Sequence, residues 1–268
     1  MHLISIATAV LYLLTAVWLA MRLFKFQQQQ QPLLAPVQLV LLLSLLLHAY
    51  LLLQTIPVAG GYRLGFYQAF SLMSWVVAAM LFIISLFRPV SGLGMVFLPV
   101  AALAAPAQVF MPSSTMVVAA DSLGLRLHIL LSITAYGMLT IAVVQALILR
   151  YQQANLHDKK PGSVLNILPP MQNMEKFLIQ ILTVGFFILS LSLVTGLMFV
   201  HNIFTQHLAH KVVFSVIAWL TFGIVLWGRW SQGWRGKKLL HWILGGFVCL
   251  VLAYFGTKAV FDLILDRF

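Results

Sequence analysis

The chain has 268 residues, 62% of them hydrophobic and 8% charged, with a mean hydropathy of +1.01. A soluble domain carries about a quarter charged residues, so composition excludes a water-soluble globular protein. The formal net charge of +11 is what positive-inside bias and contact with anionic membrane lipid produce, and no basic-aromatic module for DNA or RNA stands in the sequence.

Apolar stretches of about twenty residues, the length that crosses a bilayer core as a helix, recur along the chain. Eight spans are predicted: His2–Met21, Pro36–Ile56, Tyr67–Leu86, Val90–Val109, Leu127–Leu149, Phe177–Val200, Val212–Trp227 and Leu239–Thr257. Ten-residue alternation of the kind that builds a membrane barrel is absent, so the expected fold is all-α: one integral membrane domain over residues 1–268, a polytopic bundle of eight transmembrane helices. No Lys or Arg precedes the first span, while Arg22 and Lys25 follow it. It therefore reads as a retained helix with its N-terminus outside, and not as a cleavable signal.

Eight spans from an outside N-terminus put both termini outside. Eleven of the 16 Lys and Arg then face the cytoplasm: Arg22, Lys25, Arg88, Arg150, Lys159, Lys160, Lys176, Arg229, Arg235, Lys237 and Lys238. Five face outward: Arg63, Arg126, Lys211, Lys258 and Arg267. The fourth span is interrupted by Gly92, Gly94, Pro99 and Pro106. Were it not to cross, the two most basic loops would fall outside, against the positive-inside rule, so it is retained. Its glycines and prolines mark a kink or close packing beside a ligand, or the ordinary tolerance of membrane helices for both residues.

The five acids, Asp121, Asp158, Glu175, Asp262 and Asp266, all fall in predicted loops or tails. An ion-coupled transporter relying on acids within its spans is thus disfavoured. Acid, base and nucleophile do not cluster at a hydrolase spacing either, so an enzyme is not expected. Cys249 stands alone, which argues against thiol–disulfide chemistry.

The histidines carry more. His2, His128, His201, His207 and His210 fall at the outer face, and His48 lies inside the second span, about 12 Å from its outer end. An intramembrane histidine is costly unless paired or functional. It is also the commonest axial ligand of haem iron. Against ligation stand two plain alternatives: His48 hydrogen-bonding a neighbouring helix, and the others lying at the interface. His207 and His210 are read as solvated loop residues, since no Cys or carboxylate joins them in a zinc set. Trp75 and Trp219, both within spans, either stack on a planar cofactor or pack the core.

Several segments together resemble the cytochrome c assembly family. They are "LHILLSITAYGMLTIA" from Leu127, "LPPMQNMEKFLIQILTVGFFILSLSLVTGLMF" from Leu168, "KVVFSVIAWLTFGIVLW" from Lys211 and "GWRGKKLLHWILGGFVCLVLAYFG" from Gly233. They cover most of residues 127–256 in the family's order. The resemblance implies a multi-pass protein of the bacterial inner membrane that binds or handles haem at the outer side, in support of cytochrome biogenesis or haem homeostasis. His128 matches the family's histidine at the outer start of its helix; His48 and His201 match more loosely. The implied axial ligands are His128 with His48 or His201, with no metal beyond haem iron; Arg126, Arg63 and Lys211, on the outer side, are candidate partners of the haem propionates, with a topological or interfacial role as the alternative. The partners it implies are lipid, haem and other cytochrome-biogenesis or inner-membrane proteins. The loop before Lys211 reads "HNIFTQHLAH" and lacks the tryptophan-rich motif of the family's haem-delivery members. That departure places the chain with the branch lacking the motif. It also leaves a second reading open, a haem-free scaffold or regulatory subunit acting through protein contacts.

Overall fold

Helix is the only way an isolated segment can satisfy its backbone in lipid, and helix dominates the structure, a computed structural model. It describes residues 1–26, 35–59, 61–88, 91–111, 117–118, 122–157, 169–199 and 209–256. The helices are α1 (His2–Phe26), α2 (Ala35–Thr55), α3 (Phe66–Ser85), α4 (Ser91–Phe110), α5 (Leu123–His157), α6 (Met171–Phe199), α7 (Ala209–Gln232) and α8 (Gly236–Val251), the last continued by a π turn over Leu252–Gly256. Each of the eight is long and apolar enough to cross a membrane, including the fourth despite Pro99 and Pro106. The chain is a polytopic helical membrane protein.

Its residues fall into two compact units. The first comprises Met1–Ala119 with Asn155–Pro170. In it α1 packs along α4, and α2 and α3 complete the bundle. Small residues let the helices approach: Ala101, Ala104 and Ala105 of α4 are fully or almost fully buried, and Ala16 and Ala78 join Tyr12, Leu19, Leu41, Leu45 and Leu98 in one cluster. A Cβ on Gly94 would lie 2.6 Å from the Leu19 Cδ1 atom. Three short antiparallel strands, β1 (Pro57–Val58), β2 (Gly61–Arg63) and β3 (Val117–Val118), close one end in the order β1-β2-β3. This small sheet was not expected from the sequence.

The second unit comprises Ala120–Ala154 and Met171–Phe268. α7 packs on α6 and on α8. α5 is tied to α6 and α8 by hydrogen bonds: the Tyr136 hydroxyl donates to the Leu250 carbonyl at 2.6 Å, and the Gln145 amide to the Met174 carbonyl at 3.3 Å. α7 and α8 are joined by a tight turn in which Gly233 and Gly236 take φ of +64° and +60°, a region that glycine enters without penalty. The Trp234 backbone N–H donates to the Gly228 carbonyl, and its ring lies where a Cβ on Gly228 would otherwise stand.

Candidate functional site

His128 sits five residues into α5, about 8 Å along its axis, and its half-buried ring lies against the last turns of α6. Its Nδ1 is 2.8 Å from the Ser192 carbonyl oxygen. A carbonyl only accepts, so Nδ1 carries the proton and donates, and Nε2 keeps its lone pair. Among the described residues the polar contact of Nε2 is the Ser132 hydroxyl at 3.5 Å, beyond a good hydrogen bond. That hydroxyl already donates to the His128 carbonyl at 2.7 Å and meets the Ser192 hydroxyl at 2.7 Å. The tautomer is therefore set by a backbone group, and among the described residues Nε2 has only the long Ser132 contact and keeps its lone pair. This is the arrangement by which proteins orient a metal-ligating imidazole.

The local sequence explains the fit. A Cβ on Gly196 would be 2.8 Å from the ring's Cε1 and 3.1 Å from Nδ1, so only glycine allows the imidazole to lie on α6 at that level. Ser192, one turn before Gly196, supplies the carbonyl and its hydroxyl meets that of Ser132, while the hydroxyl of Thr195, next to Gly196, donates back to the Leu191 and Ser192 carbonyls. One turn nearer the end, a Cβ on Gly124 would overlap the Phe199 ring.

His48 is placed differently. It is fully buried in the first unit, and both ring nitrogens are occupied: Nδ1 by the Tyr12 hydroxyl at 3.3 Å, Nε2 by the Ser71 hydroxyl at 2.8 Å. The Tyr12 ring meets it edge-on, with centroids 5.7 Å apart. This clasp ties α1, α2 and α3 together and leaves no lone pair for iron without first breaking a hydrogen bond. His201 and His207 lie outside the described residues.

The candidate propionate partners are also distributed. Arg63 belongs to β2 of the first unit, where its backbone N–H donates to the Ile56 carbonyl. Arg126 is exposed on α5, two residues before His128, a spacing that puts the two side chains on different faces of the helix. Lys211 is half-buried in the first turn of α7. Connectivity brings the starts of α5 and α7 and the end of α6 to one end of the second unit, so His128, Arg126 and Lys211 share that end.

Both tryptophans named as stacking candidates are engaged internally. The Trp75 indole N–H donates to the Leu45 carbonyl at 2.9 Å. Trp219 donates to the Ser190 hydroxyl at 2.7 Å and stacks on Phe186 at 5.8 Å, 13° from parallel. Sequence reasoning missed Tyr12, Ser71, Ser192 and Gly196. The serines and the glycine interrupt otherwise apolar runs, and that interruption was the available signal.

At the other end of the second unit, Glu175 is the only acid among the described residues. It pairs with Arg229 at 2.9 Å and Arg235 at 3.4 Å, and the Arg229 guanidinium also donates to the Trp234 carbonyl.

Eight helices long and apolar enough to cross a membrane, with an imidazole oriented at the mouth of the fifth, define a multi-pass helical membrane protein. Residues 3–265 match the sequence model described as cytochrome c assembly protein, and the chain belongs to that family. It is 36% identical to inner membrane protein YpjD of Escherichia coli K12 over 155 residues, which cover 58% of this chain and 59% of YpjD. An uncharacterized 28.8 kDa protein of Azospirillum brasilense is 29% identical over 54% of this chain and 55% of its own length. The cytochrome c biogenesis protein CcsA of Trieres chinensis is 22% identical over 92% of this chain and 90% of that one. The chain thus spans little more than half the length of the first two relatives. No solved structure gives a significant match. The protein is a multi-pass protein of the inner membrane.

Proposed function

We propose that the protein binds haem through the Nε2 atom of His128 at the outer side of the inner membrane and hands it on during cytochrome biogenesis or haem homeostasis. The observation that carries this reading is the 2.8 Å bond from Nδ1–H to the Ser192 carbonyl, which leaves Nε2 as the free base at the mouth of a helix. Bound haem would supply an iron centre open to axial ligation and exchange. The chain's own part is to orient the imidazole, to fix its tautomer through Ser192, and to set Arg126 and Lys211 at the same end for propionate charge. His201 follows Gly196 by five residues in sequence and is the candidate for a second ligand. His48 enters only if the Tyr12–His48–Ser71 clasp opens. The outer placement rests on the excess of Lys and Arg at the opposite end of the bundle.

The test is an absorption spectrum of the protein purified in mild detergent, oxidised and then reduced, with and without added haem. The parent is expected to show a Soret band with low-spin features, lost or shifted in His128→Ala and retained in His48→Ala. A parent that stays colourless after haem addition would support the scaffold reading. The internal partners of His48 and Trp75 favour that reading for the first unit.

A further inference from the structure

α8 presents Lys238, Trp242, Gly245 and Cys249 at intervals of four, three and four residues, so they form one stripe along the helix. Lys238, Trp242 and Gly245 are exposed, and Cys249 is half-buried. Along the stripe runs a groove of about 300 Å³ between α7 and α8, lined by Thr221, His241, Trp242, Gly245 and Cys249. The two adjacent glycines differ in use. A Cβ on Gly246 would press Phe222 and Thr221 at 3.2 Å, so that glycine serves the α7–α8 contact, whereas a Cβ on Gly245 would meet nothing within 4 Å. Packing among the described residues does not account for Gly245.

Polarity is graded along the stripe. At its start the Lys238 ammonium stands 3.7 Å over the Trp234 ring, with exposed Arg235 and Lys237 beside it. Glu175, the only described acid, is already held by Arg229 and Arg235, so Lys237 and Lys238 have no carboxylate partner among the described residues. Next come Trp242, 5.9 Å from Trp234, and His241, neither hydrogen-bonded among the described residues. Beyond them lies the open groove. From Lys238 to Cys249 the helix rises about 16 Å, close to half of a hydrocarbon core about 30 Å thick.

We propose that this stripe is a binding site for one phospholipid with an anionic headgroup. The phosphodiester is held at Lys238 within the field of Arg235 and Lys237, His241 and Trp242 donate at the depth of the ester carbonyls, and one acyl chain fills the groove to Cys249. Cation, ring N–H and groove follow each other in the order phosphate, ester and chain follow each other in the lipid. A second copy of the chain fits less well, because a two-fold contact across this stripe would set Lys238 against its own equivalent. The proposal is independent of haem binding.

Cys249, the chain's one cysteine, provides the readout. The full chain is reconstituted in vesicles of phosphatidylcholine with or without phosphatidylglycerol, and the rate of Cys249 alkylation by an uncharged, membrane-permeant maleimide is measured. Phosphatidylglycerol is expected to slow labelling several-fold, and Lys238→Gln to restore the phosphatidylcholine rate. Gly245→Leu, whose Cβ meets nothing within 4 Å, is expected to slow labelling in both vesicles and abolish the difference. Mass spectrometry of delipidated protein should find phosphatidylglycerol retained by the parent and lost from both variants. Equal rates for the parent in both vesicles, or slowing that persists in Lys238→Gln, would overturn the proposal. Protection by inorganic phosphate in phosphatidylcholine vesicles would also overturn it, in favour of a free-anion site. So would protection that rises with protein density, in favour of a second copy.

Discussion

Gly196 decides where the His128 imidazole can lie. Its missing Cβ is the space the ring occupies, 2.8 Å from Cε1. Gly196→Val would push the ring off α6 and stretch the Nδ1–Ser192 bond, at a cost in stability of about 1–3 kcal/mol for an overpacked contact. The expected outcome is a protein that still inserts and purifies but shows the haem spectrum of His128→Ala. An unchanged spectrum in Gly196→Val would mean that the Ser192 bond does not position the ligand. His128 was singled out in the sequence by its place at the start of an apolar run and by its match to the family's histidine, with an interfacial role as the alternative. What holds it was not, since Ser192 is 64 residues away and acts through its carbonyl, a group that every residue carries. The same reason hid the clasp on His48: Tyr12 and Ser71 lie 36 and 23 residues from it, on other helices. An intramembrane histidine was recognisable as needing a partner, and the structure supplies two hydroxyls.

At the scale of elements, hydropathy located all eight of the described helices but undercut the ends of several. α5 runs over Leu123–His157 where the apolar window covered 127–149, and α6 begins at Met171 where the window began at 177. The extra turns carry polar residues such as Gln152 and Glu175, which lower hydropathy without breaking helix. Glu175 illustrates the consequence. The sequence reads it as a loop acid, whereas it sits in the second turn of α6 and binds the arginines of α7 and of the turn before α8. Glu175→Gln would leave Arg229, whose side chain is 18% exposed, without its counter-ion. Because both partners are only partly shielded, the loss is expected to be about 1–2 kcal/mol, below that of a fully buried pair. It should appear as a lower midpoint of thermal unfolding in detergent, larger than for Arg235→Gln, whose side chain is 70% exposed. The small sheet was invisible for a different reason: strands of two and three residues are too short for alternation to register.

Across the whole molecule, the proposed orientation rests on charge. Eleven Lys and Arg fall on one side of the eight-span path and five on the other. A basic side chain near an anionic leaflet gains about 1 kcal/mol, so the difference of six favours the arrangement with the Gly233–Gly236 turn inside by about 6 kcal/mol before loop lengths are considered. The haem proposal depends on this sign, because it puts the free Nε2 of His128 on the side opposite the arginine-rich end. In a Cys249→Ser background, Pro57→Cys in the small sheet and Ser231→Cys at the end of α7 report the two sides, since both positions are exposed. A membrane-impermeant maleimide added to intact spheroplasts is expected to label Cys at 57 at once and Cys at 231 only after lysis. The reverse pattern would put His128 at the cytoplasmic face and would turn the proposed step from receipt of haem on the outer side into its capture on the inner side. Equal labelling of both positions before lysis would mean that the chain inserts in two orientations, and no single side could then be assigned to the histidine.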